Sequence, residues 1–130
     1  MFDENDYNSG NYLVGEDGVY SSLSDMYNWI MAIENNLLVS KETQNRIFSK
    51  TKTNSREEVA YGYGWFIEDY HGHKMYMHSG CWVGFNTIIV YYPDDKLWFV
   101  GLANSNVISP WKTLLPLIKC YLGLEESTEV

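Results

Sequence analysis

Cysteine is nearly missing from this sequence; Cys81 and Cys120 are all there is. Two are too few for a disulfide framework, and their spacing does not fit a zinc knuckle, so they read as ordinary thiols. Basic residues are also scarce: nine Lys and Arg stand against seventeen Asp and Glu, for a formal charge of −8. A surface of that sign repels phosphate, which argues against nucleic acid and anionic membrane as partners. No apolar run approaches the roughly 20 residues of a membrane span. The opening MFDENDYNSG is acidic and polar, unlike a secretory signal, so the chain is expected to carry no address of its own.

What is present is apolar and aromatic: 45% and 16% of the 130 residues, enough for one domain with a real core and a leaning toward sheet. Residues 1–18 lack a sustained period and are expected to be an extended lead-in. SSLSDMYNWIMAIENNLL (21–38) predicts a helix, with Ser22 as N-cap and Asp25 three positions on. Met26, Trp29, Ile30, Ile33 and Leu37 fall on one face of it and are expected in the core. A second short helix starts at Ser40, and 50–58 is charged enough for a surface connection. Strand patterns follow at 61–70, 73–79, 85–93 and 96–104, joined by connections short enough for hairpins. Ser109-Pro110 then opens a last helix that Pro116 is expected to interrupt and that stops near Gly123; the tail 124–130 is expected to fray. The pattern predicts an α+β fold, an antiparallel meander of about four strands with two helices before it and one after. Apolar runs in the later strands predict a sheet covered on both faces.

One short stretch carries chemistry. His78-Ser79-Gly80 lies where one strand pattern ends, and offers an imidazole, a hydroxyl and a residue without a side chain to block close approach. The N–H of Cys81, just past the glycine, is placed to serve as an oxyanion donor. Taken alone, the triplet fits equally a strand that ends in a glycine turn.

The order of the surrounding segments resembles the C-terminal part of the serine β-lactamase-like family, nearest its class C β-lactamase, DD-peptidase and esterase branch. The resemblance rests on His78-Ser79-Gly80, then Gly84-Phe85, then Pro93-Asp94, then Leu102-Ala103-Asn104, and spans roughly residues 15–122. It implies that His78 acts electrostatically near the substrate, that Ser79 and Gly80 contact the substrate, and that the Cys81 N–H forms half of an oxyanion hole. It implies a small acyl substrate, no cofactor and an extracytoplasmic parent. The family also needs a nucleophilic Ser-x-x-Lys at a helix start. Ser49-Lys50-Thr51-Lys52 fits as a string but sits in a charged surface stretch, where no helix N-terminus aims donors at it. Lys52-Thr53-Asn54 and Tyr7-Asn8-Ser9 are chance echoes of other family motifs. The expectation is a single partial domain, inactive alone. Its partner would be the N-terminal part of the parent domain, or another copy through an exposed sheet edge.

Two other readings compete. His71, His73 and His78 lie within eight residues, but a hairpin tip splays such rings and no cysteine or carboxylate has suitable spacing; no metal site is expected. Tyr61, Tyr63, Trp65 and Trp82 would suit a non-catalytic binding module if they lined one groove.

Overall fold

The computed structural model describes residues 18–124, so the lead-in and the tail lie outside the described residues apart from 18 and 124. Helix α1 (Leu23–Glu34) begins as the sequence predicts: Ser22 Oγ accepts the Asp25 N–H at 3.1 Å and donates to the Asp25 carboxylate at 2.8 Å. It ends four residues early, because Asn36 adopts φ 53. The expected core stripe shrinks accordingly. Ile30 and Ile33 are buried, Trp29 is partly exposed but stacks on Trp65, and Leu37 lies past the helix end with 74% exposure. Helix α2 (Lys41–Ile47) is capped by Ser40. The charged stretch after it is more ordered than expected, forming a small antiparallel ladder of β1 (Thr51–Lys52) and β2 (Glu58–Val59).

The meander follows: β3 (Phe66–Tyr70), β4 (His73–Trp82), β5 (Phe85–Tyr92) and β6 (Leu97–Ala103), antiparallel and in sequence order. His71 and Gly72, at φ 53 and 86, make the two-residue turn between β3 and β4, the handedness that suits twisted hairpins. The first strand is shorter than its pattern. Gly64, at φ 83, breaks the run, and Tyr61 joins only through an isolated bridge to Phe66. The second strand is longer, since it passes through Gly80 and Cys81 to Trp82 and turns at Val83-Gly84. Gly84 takes the left-handed φ of 80 that the turn needs, whereas Gly80 stays in the ladder opposite Thr87. His78-Ser79-Gly80 is therefore mid-strand.

Alternation gives the sheet two apolar faces, as expected. Met75, Ile88, Val90 and Tyr92 bury one against Ile118 of α3 (Pro110–Tyr121). Gly101 permits this close packing, because a Cβ there would lie 2.8 Å from Pro110 Cβ. On the other face Ile67, Tyr76 and Trp65 are buried against Ile47 and Phe48 at the end of α2. Helix α1 reaches the same side at β6, where Trp98 Nε1 donates to Glu34 at 2.7 Å. Contrary to expectation, α3 runs unbroken through Pro116, which faces solvent. This partial α+β arrangement is a helix-covered meander with both outer strands, β3 and β6, at sheet edges.

Candidate functional site

The site expected from sequence lies on β4, and the ladder decides what it offers. The two-residue turn at His71-Gly72 makes Tyr70 and His73 a mutually bonded pair, and antiparallel bonding then alternates. His73, Met75 and Met77 direct their backbone groups to β3. Lys74, Tyr76, His78, Gly80 and Trp82 direct theirs to β5. Strand β3 stops at Phe66, opposite Met77. The N–H and C=O of Ser79 and Cys81 therefore point out of an edge that no strand covers among the described residues. Among the described residues the Cys81 N–H has no strand partner, and the ladder to β5 holds it in place. The Cys81 thiol is exposed and forms no disulfide.

The side chains divide between the faces. His78 follows Tyr76 onto the α2 face, while Ser79 follows Met77 onto the α3 face. There Ser79 lines a cleft of about 430 Å³ with Met75, Met77, Asn86, Ser109 and Trp111. Imidazole and hydroxyl thus flank the strand edge from opposite sides. Gly80 leaves little spare room, since a Cβ would lie 2.9 Å from Thr87 Oγ1.

His78 is held by aromatic neighbours. Its ring is stacked on Phe66 with centroids 5.6 Å apart, and its Nε2 lies 3.1 Å from the Tyr61 hydroxyl. Tyr61 is itself anchored: its carbonyl accepts from Thr51 Oγ1 at 2.7 Å and from Thr51 N at 3.2 Å, and its ring meets Phe66 edge-on. Sequence reasoning offered Tyr61 only as a groove aromatic and missed this partnership; its closeness to the YGYGW glycines was the available signal.

The other two histidines go elsewhere. His73 Nδ1 pairs with Asp95 at 2.8 Å, tying two hairpin tips together, and His71 packs on Tyr70. No group of three or more potential metal ligands occurs among the described residues. Two of the groove aromatics separate: Trp65 is buried in the core and Tyr63 is 61% exposed.

The family model named Beta-lactamase matches residues 1–121. The chain belongs to the β-lactamase family. Within the curated proteins it is similar to penicillin-binding protein 4* of Bacillus subtilis (strain 168), at 29% identity over 102 residues. That match covers 73% of this chain and 23% of the relative. Among solved structures it is similar to the octameric penicillin-binding protein homologue from Pyrococcus abyssi, with a TM-score of 0.68 and 29% identity. There the match covers 85% of this chain and 26% of the other. The chain thus spans about a quarter of the length of either relative.

For a β-lactamase-family chain the open question is the nucleophile. Ser49 is exposed past the end of α2, with its hydroxyl donating to the Arg46 carbonyl at 2.8 Å. A second Ser-x-x-Lys string, Ser109 to Lys112, does open a helix. Ser109 is a capping residue, its Oγ accepting the Lys112 N–H at 3.4 Å, and Lys112 is exposed. Neither serine has a lysine ammonium within hydrogen-bond reach among the described residues, so neither shows an activated hydroxyl.

Proposed function

We propose that this chain supplies one wall of an acyl-transfer site. His78 gives electrostatic support and the Cys81 N–H donates to an oxyanion. Ser79 and Gly80 border an acyl substrate lying along the free edge of β4. The nucleophile and its lysine come from a segment outside these elements, and the chain alone is inactive. The observation that carries this reading is that, among the described residues, no strand covers β4 past Met77, where the Ser79 and Cys81 N–H groups point outward one and three residues on from His78. Backbone donors fixed in a strand need no reorganisation when charge develops on a substrate oxygen. Family membership supports the chemistry, and the fraction of each relative that the chain spans supports a partial domain. The relative's name, penicillin-binding protein, points to β-lactam or peptide-like substrates; esters share the same electrophilic carbonyl.

The test is covalent labelling by a fluorescent penicillin, read on a denaturing gel. The 130-residue chain stays unlabelled. A product of the same gene extended upstream through a helix-borne Ser-x-x-Lys is labelled, and His78→Ala in that product lowers the labelling rate by about 10²-fold or more. Labelling of the short chain, or an upstream reading frame without such a motif, refutes the assignment. In the second case a non-catalytic binding module becomes the better reading.

A further inference from the structure

We infer that Tyr61 is a positioning residue for His78. Its hydroxyl occupies Nε2, holds the neutral ring in the Nδ1–H form, and makes Nδ1–H the group presented to the substrate. The functional meaning of this assignment rests on the acyl-site reading above; its measurement does not.

Three observations support it. The hydroxyl and Nε2 are 3.1 Å apart, and neither has another hydrogen-bond partner among the described residues. A phenol donates better than it accepts, because its oxygen lone pair is drawn into the ring. The natural polarity is therefore O–H to Nε2, which leaves the ring proton on Nδ1. Both partners are also immobilised. The Tyr61 carbonyl accepts twice from Thr51, and Phe66 contacts both rings, stacking on His78 and meeting Tyr61 edge-on. An isolated histidine prefers the opposite tautomer, so the arrangement does something the side chain would not do by itself. It turns His78 from a possible base into a directed donor, suited to a carboxylate or an oxyanion.

The experiment is long-range ¹H–¹⁵N correlation of the histidine rings in the ¹⁵N-labelled chain, above the pH at which the rings titrate. His78 is assigned by its absence in His78→Gln. The expected spectrum shows a pyrrole-type Nδ1 and a pyridine-type Nε2 for His78. In Tyr61→Phe, which keeps the ring against Phe66, the two nitrogens exchange character. An Nε2–H ring in the unmodified chain overturns the assignment, and so does an Nδ1–H ring that Tyr61→Phe leaves unchanged. If the variant does not fold, the tautomer of the unmodified chain decides alone. No acyl compound enters this measurement, so it can fail while penicillin labelling succeeds, and the reverse.

Discussion

Single residues here carry their effects through what surrounds them. Tyr92 is fully buried, and its hydroxyl donates to Met75 Sδ at 3.2 Å. Burial, then the nearby Tyr70 and Asp95, push its phenol well above the usual value of 10.0. Tyr91 is raised in the same sense, by burial and then by the Glu34 carboxylate. The folded chain keeps these protons when the unfolded chain releases them. Their contribution is therefore complete below about pH 10 and falls as pH rises beyond it. Tyr92→Phe keeps the ring and removes the ionisation. It is expected to cost about 1 kcal/mol at neutral pH and to lose less stability above pH 10 than the parent chain. Urea titrations across that range, followed by circular dichroism, check both slopes.

At the scale of elements, the beginnings were legible and several ends were not. Ser22, Ser40 and Ser109 each announce a helix start because a side-chain cap is a local device. The His71-Gly72 turn is local in the same way. The length of β4 was hidden because two glycines, Gly80 and Gly84, compete for the turn, and only the ladder to β5 selects Gly84. Of the proposed site, His78 and Cys81 could be named from the sequence, because they sit in a family-like order. Tyr61 could not, because it reaches His78 across 17 residues and through the bridge to Phe66. Pro116 shows another limit. Proline lacks the N–H for the helix ladder, yet α3 continues, held by Ile118 and Leu114 packed on the sheet. Because Pro116 is exposed, Pro116→Ala is expected to stabilise the chain by roughly 2 kcal/mol, read as a higher urea midpoint with an unchanged slope.

For the whole molecule the decisive feature is the outer side of β6. Alternation from the β4–β5 ladder leaves the backbone groups of Trp98, Val100 and Leu102 pointing away from β5. That edge has no strand partner among the described residues, and a hollow lined by Tyr27, Ile30, Met31 and Trp98, with Glu34 and Lys96 also on its wall, runs beside it. We propose that it pairs with the remainder of the parent domain, or with another copy when that remainder is absent. Association that grows with concentration in sedimentation velocity is the expected behaviour, and Leu102→Lys, which places a charge on the edge, is expected to weaken it. A chain that stays monomeric at all concentrations contradicts the proposal. Gly62 binds distant parts of this molecule more tightly still. A Cβ at Gly62 would fall 2.1 Å from the Ile47 carbonyl oxygen, so the last turn of α2 rests directly on the backbone beside Tyr61. A side chain at position 62 would have to part the end of α2 from the segment that carries Tyr61, so the seat of that helix and the place of the phenol are fixed together.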